Sequence, residues 1–194
     1  MKLVAGLGNP GEEYAATRHN VGFAVADLLA ERWRAGPWAK KFRGLVASID
    51  LHGERCWLLK PQTYMNLSGE SVQAACAFYQ IEPADIAVVH DDIDFELGRI
   101  QVKFGGGHGG HKGIGSTIAH LGRDFVRVRL GVGRPARNNV VDHVLGGFHR
   151  SEQPIVDEMI VRAADAIETI LHDGYRKAQN AFNVRAADDE EEET

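Results

Sequence analysis

Apolar positions along the chain fall into two alternating kinds of segment. Residues 2–7 form a short apolar run closed by glycine, the pattern of a strand buried on both faces. Over residues 20–33 the period changes. Val21, Val25, Leu28 and Leu29 share one side of a helix, with Asn20 as its N-cap. Residues 45–51 and 55–59 flank His52-Gly53 and predict two strands joined by a turn. A helix over 67–79 follows, then a buried strand over 85–90 built on Ile86-Ala87-Val88-Val89. The pattern next predicts a strand over 99–104, a glycine-rich stretch over 105–115, a short helix over 114–121 and a strand over 125–132. A long amphipathic helix over 153–171, stopping near Gly174, comes last.

Strands alternating with helices predict an α/β fold, a single domain with a mixed, mostly parallel sheet flanked by helices. A chain of 194 residues, 44% of them hydrophobic, is long enough to bury one sizeable core. No apolar run approaches the ~20 residues that span a bilayer, so no membrane segment is expected. The chain enters its first strand directly after Met1, too soon for a secretory signal. Cys56 and Cys76 lack metal-ligand spacing and read as free thiols in a reducing cytoplasm.

The net charge of −5 argues against a nucleic-acid partner until its distribution is considered. Residues 188–193 carry six carboxylates, and without them 22 basic residues face 21 acidic ones. The expected organisation is a folded body over 1–180 and an acidic, solvated tail over 181–194. A near-neutral body permits a local basic patch.

Candidate chemistry gathers where strands end. Gly6-Leu7-Gly8-Asn9-Pro10-Gly11 has the form of a dinucleotide fingerprint, but a helix must start inside such a motif, and strong helical spacing begins only near residue 20. The favoured reading is a tight turn that presents Asn9, whose amide either donates to a substrate carbonyl or steadies the turn. His19 lies just before the predicted helix and is the side chain best suited to take a proton near neutral pH, though it is one of nine histidines. Asn66, in Lys60-Pro61-Gln62-Thr63-Tyr64-Met65-Asn66, reads either as a helix N-cap or as a substrate-orienting amide. Tyr64 is either core or an exposed stacking platform.

His90-Asp91-Asp92-Ile93-Asp94 follows a buried strand. A carboxylate there, facing His19, would hold its ring and favour proton uptake. The aspartates also suit a polar turn; a metal site lacks a partner set with clear spacing. Gly105 to Gly115 suggests a mobile loop or close ligand approach, and His108 with His111 invites a zinc reading that the surrounding glycines oppose, because they disfavour the helix needed to align the pair. No serine or cysteine stands out as a nucleophile, so direct attack by water is the simpler hydrolytic chemistry.

Taken in order, GLGNPG at 6–11, TRHNVG at 17–22, KPQTYMNLSG at 60–69, HDDID at 90–94, GGGHGGHKG at 105–113 and VRLGVGRP at 128–135 resemble the bacterial peptidyl-tRNA hydrolase family. The resemblance covers roughly residues 2 to 180. It implies a cytoplasmic, monomeric enzyme, without metal or other cofactor, that hydrolyses the ester joining a peptide to the terminal ribose of tRNA. Carried over by position, His19 is the general base, Asp91 supports its basic state and Asn9 distinguishes N-blocked from free aminoacyl groups. Asn66 and His111 contact substrate, Tyr14 and Tyr64 match tRNA- or substrate-contacting positions, and Lys103 and Arg129 match a clamp for a terminal phosphate. One position departs from the family: Lys112 stands where its glycine loop usually carries asparagine. Lysine offers donors but no acceptor, so contact with a phosphate or carbonyl is expected there.

Overall fold

The computed structural model describes residues 2–51, 53–136 and 139–183. The acidic run at 188–193 lies outside them. Among the described residues, seven strands form one sheet in the order β2-β3-β4-β1-β5-β7-β6. In chain order these are β1 (Lys2–Gly6), β2 (Ala39–Lys41), β3 (Gly44–Leu51), β4 (Glu54–Pro61), β5 (Ile86–Asp92), β6 (Ile100–Phe104) and β7 (Val126–Gly131). The central four, β4-β1-β5-β7, run parallel. The outer strands pair antiparallel: β2 with β3, β3 with β4, and β6 with β7. The expected single α/β domain is the fold observed, its mixed sheet parallel through the central strands and antiparallel towards both edges.

The helices are α1 (Val21–Arg32), α2 (Ser68–Tyr79), α3 (Lys112–Leu121), α4 (Val140–Val144), α5 (Gln153–Asp173) and α6 (Tyr175–Phe182). Strand alternation divides the core between two faces. Val4, Ala87 and Val89 join Val25 and Leu29 of α1 and Met159, Ala163 and Ile167 of α5. Leu3, Ala5, Ile86 and Val88 point the other way, to Val72 and Ala75 of α2 and Ile114 of α3. A sheet covered on both faces explains why β1 and β5 read as unbroken apolar runs.

Three elements escaped the pattern. β2 is three exposed residues, Ala39-Lys40-Lys41, whose lysines blunt the sheet edge. α4 is little more than one turn. α6 is separated from α5 by Gly174 at φ 89°, then buries Ala178 and lays Tyr175 and Phe182 against the core. Asn183 extends the packed body past position 180: its side chain accepts from Val102 N at 2.7 Å and donates to Val102 O at 2.9 Å, at the sheet edge. α3 starts at Lys112, two residues earlier than the apolar spacing indicates, because the His111 side chain caps it.

Two glycines set how closely α1 approaches the strand ends. A Cβ on Gly6 would lie 2.1 Å from Gly22 O, and one on Gly22 would lie 2.5 Å from Val89 O. Without side chains at this crossing, the start of α1 rests directly on β1 and β5. The turn before it, Arg18–Asn20, is thereby held above the strand ends.

β5 also buries a histidine. His90 is 3% exposed; Nδ1 donates to Asp91 O at 2.7 Å, and Nε2 has no partner among the described residues. Burial, reinforced by neighbouring His111, holds His90 well below the ordinary histidine range. In the unfolded chain the same ring takes up a proton below about pH 6.5. Unfolding therefore binds a proton in acid, and the stability fully present above that pH is lost as pH falls towards the folded value. Urea unfolding across about pH 7.5 to 5 should show the native protein losing up to ~1.4 kcal/mol per pH unit more than His90→Leu below about pH 6.5. Parallel stability curves would mean that His90 is already protonated in the fold.

Candidate active site

The carboxyl ends of the parallel strands open into a cavity of about 580 Å³. Helices leave β1 and β4 for opposite faces of the sheet, which is where ligands collect in open α/β folds. Asn9 follows β1, Tyr64, Met65 and Asn66 follow β4, Asp91 sits near the end of β5, and His108 to Lys112 precede or begin α3; all line the cavity, as does His19.

Asp91 is the centre of the arrangement. It is 1% exposed and accepts from two imidazoles. His19 Nδ1 lies 2.8 and 2.9 Å from its two oxygens, and His111 Nε2 lies 2.8 Å from Oδ1. Burial alone would raise this carboxyl, but attraction and hydrogen bonding from His111, then from His19, outweigh it and hold Asp91 well below the usual carboxylate range. An ionised carboxylate only accepts, so both contacting ring nitrogens carry protons. His19 in its neutral form then has its lone pair on Nε2. His111 is fixed the opposite way: its Nδ1 accepts from Ile114 N at 3.2 Å while Nε2–H serves Asp91. The two rings lie 5.1 Å apart, centre to centre.

Asn9 is placed by Asn20, which holds the N-cap position of α1 as the sequence predicts. Asn20 makes no side-chain cap to α1. Its amide instead brackets the Asn9 backbone, accepting from Asn9 N and donating to Asn9 O, both at 2.9 Å. Asn9 Oδ1 accepts from Met65 N at 2.8 Å, which orients the amide and leaves Nδ2 as its free donor. Asn66 does not cap α2 either; it lies exposed in the short turn Met65–Leu67 and lines the cavity. Tyr64 is 59% exposed at the rim, not core.

The other expected contacts are spread more widely. Lys112, exposed at the first position of α3, is the one lysine or arginine in the cavity lining among the described residues. Tyr14 is half-buried outside the lining; its carbonyl accepts from Thr17 Oγ1 at 2.7 Å, supporting the turn that carries His19. Lys103 and Arg129 share one face of the β6–β7 ladder and do not themselves line the cavity. Lys103 is exposed, whereas Arg129 Nε is engaged by Asp92 Oδ2 at 2.8 Å. Buried Arg127, the cross-strand partner of Lys103, donates to the carbonyls of Gly106 and Gly107 and anchors the glycine loop.

Sequence reading missed one wall altogether. Val140, Val141 and Val144 of α4, with Leu145 and Ile93, add an apolar part to the cavity lining. An apolar wall together with a few convergent polar groups suits an organic acyl group next to a reacting bond.

Two rival chemistries can be weighed on geometry. No α-helix begins inside residues 6–11; the short turns Glu12–Tyr14 and Arg18–Asn20 come before α1, so the pyrophosphate-binding arrangement is missing. Ligand atoms of His19, Asp91 and His111 do lie within 4.8 Å of one another, a set hidden from spacing because three separate elements supply it. A metal on His111 Nε2 would require the ring proton on Nδ1, opposing Ile114 N–H. The donor set therefore fits a hydrogen-bonded relay better than a metal. His108 does not pair with His111; its Nδ1 accepts from Gly110 N at 2.9 Å.

Comparison with known proteins places the chain in a family. The family model described as peptidyl-tRNA hydrolase matches residues 3–192. The peptidyl-tRNA hydrolase of Anaeromyxobacter dehalogenans strain 2CP-C is 52% identical over 188 residues, covering 96% of this chain and 98% of its own. That of Geobacillus kaustophilus is 48% identical over 185 residues, covering 94% of this chain and all of its own. A crystal structure of the Acinetobacter baumannii enzyme superposes with a TM-score of 0.90 at 39% identity, covering 95% of each chain. By sequence and by fold, this chain belongs to the peptidyl-tRNA hydrolase family.

Proposed function

We propose that this chain frees tRNA by hydrolysing the ester between a peptide, or an N-blocked aminoacyl group, and the terminal ribose, with His19 as general base. The observation that carries this reading is the Asp91 carboxylate, which takes the His19 Nδ1 proton into a hydrogen bond and leaves Nε2 as the proton acceptor. Water bound at Nε2 gives up a proton as its oxygen bonds the ester carbonyl carbon. The bond from that carbon to the ribose oxygen then breaks, and the proton on His19 passes to the departing ribose. The free Asn9 Nδ2 and the Asn66 amide are donors for the carbonyl as it gains charge. Asn9 so placed also suits discrimination of an acylated nitrogen from a free amine, and the wall of Val140, Val141 and Leu145 suits peptide side chains.

Tyr64 at the rim offers a stacking face, and Lys112 a cation for the tRNA terminus or peptide carbonyl. Exposed Lys103 is the freer half of a phosphate clamp; Arg129, engaged by Asp92, is the more fixed half. Tyr14 acts by supporting the His19 turn. His111 steadies Asp91 through Oδ1, the oxygen that it shares with His19. The site lies within one chain, as a monomer requires, and the two buried cysteines, both free, suit a reducing cytoplasm.

The competing reading is an RNA-binding relative without turnover, suggested by Lys112 in place of asparagine. Single-turnover hydrolysis of an N-acetyl-aminoacyl-tRNA separates the two. His19→Ala should lower the rate roughly 10²–10⁴-fold while leaving tRNA affinity nearly unchanged. Asp91→Asn should cause a loss of similar size, because an amide can donate to His19 Nδ1 and favour the wrong tautomer. Near-normal rates in both folded variants would remove His19 from the mechanism.

Lys112→Asn isolates the residue that departs from the family. Phosphate contact releases counterions, so losing this cation should reduce the slope of log affinity against log salt by up to about one. Turnover should be kept or raised, since asparagine restores an acceptor. Parallel salt curves for the two proteins would rule out the phosphate contact.

A further inference from the structure

Arg18 stands beside the base but does not line the cavity, and its side chain is only 9% exposed. Its side chain bonds only to the segment immediately after α4, among the described residues, and its backbone N–H reaches the same segment. Arg18 N donates to Gly146 O at 3.0 Å, its NH1 group donates to Gly147 O, and its NH2 group reaches Glu152 Oε2 at 3.1 Å. The guanidinium lies over the Phe148 ring, 4.9 Å from its centre. Thr17 adds an antiparallel bridge to Gly147, and Glu152 is itself held by His149 N at 2.7 Å.

The two elements joined here are both short. The turn Arg18–Asn20 has three residues, and α4 has five. A helix of that length has almost no stability of its own and takes its position from tertiary contacts. On its far side α4 is tied by His143, whose Nε2 donates to Val132 O at 3.1 Å and Gly133 O at 2.8 Å. On its near side the tie is Arg18. A catalytic ring must be held within about 0.5 Å, and a three-residue turn does not achieve that alone.

We propose that Arg18 is a positioning residue that locks the turn carrying His19 to the apolar wall of the cavity, so that acyl-group contact with the wall and placement of the base are coupled. This inference rests on the reading of His19 as the base. Filling the space against Val140, Val141 and Leu145 steadies α4, the segment after it, and through Arg18 the turn beneath His19. A substrate with a large apolar acyl group therefore meets a better-placed base than a small one does.

Removing Arg18 alone leaves the half-buried Glu152 carboxylate with His149 N but without its paired charge, so the principal variant is Arg18→Gln with Glu152→Gln, with Arg18→Lys as the conservative comparison. The assay is steady-state hydrolysis of N-acetyl-leucyl-tRNA and N-acetyl-glycyl-tRNA, at a temperature where melting curves show every protein fully folded. The double variant should lose roughly 10–100-fold in kcat, as small misplacements of catalytic groups do. Its KM should rise for the leucyl substrate and not for the glycyl one. Arg18→Lys should recover part of kcat, because one ammonium can serve Gly147 or Glu152 but not the full set. A lower melting temperature with kcat and KM unchanged on both substrates would make Arg18 purely structural and overturn the coupling. A native protein inert toward both substrates would overturn the functional reading, and the coupling with it.

Discussion

One buried carboxylate organises this molecule's chemistry. Asp91 sits at the end of a central strand, nearly inaccessible to water, and is kept ionised by hydrogen bonds from two histidines on separate elements. An unpaired carboxylate at that depth would protonate rather than remain charged. Satisfied by both, it orients each ring and settles which nitrogen of His19 faces the reaction. His111 has a double duty: the nitrogen that does not serve Asp91 caps α3, linking the glycine loop's end to the site.

The backbone around this carboxylate is unusually constrained. Gly6 and Gly22 let α1 rest on the strand ends at distances no side chain would allow. Asn20 clasps the Asn9 backbone, and Met65 N fixes its amide. These contacts come from β1, the turn before α1 and the loop after β4, so three elements must dock together before the donors converge. Such pre-set donors are what an ester hydrolysis needs, because they require no rearrangement as charge develops on the carbonyl oxygen.

Much of this was legible in the sequence because burial writes itself into periodicity. β1 and β5 are apolar throughout since helices cover both faces, and α5 shows its stripe over many turns. Short elements left no such record: β2 is exposed, and α4 holds too few residues to establish a period. Asn9, His19 and Asp91 could be singled out by residue type at strand ends. Asn20 could not, because an asparagine before a helix ordinarily caps it, and only tertiary structure shows its amide turned to Asn9. Likewise His111, read among glycines that oppose a helix, starts one. Arg18 left no signal at all, since its partners lie more than a hundred residues along the chain.

Ionised Asp91 sets opposite tautomers in its two histidines. Nitrogen-15 NMR of the imidazole rings, in selectively labelled protein near neutral pH, reads this directly. His19 should show a protonated Nδ1 and a pyridine-type Nε2. His111 should show the reverse, a pyridine-type Nδ1 and a protonated Nε2. Replacement of each histidine in turn assigns the signals. A His19 signal with the proton on Nε2 would contradict the account, because the ring would then have no lone pair with which to take a proton from water.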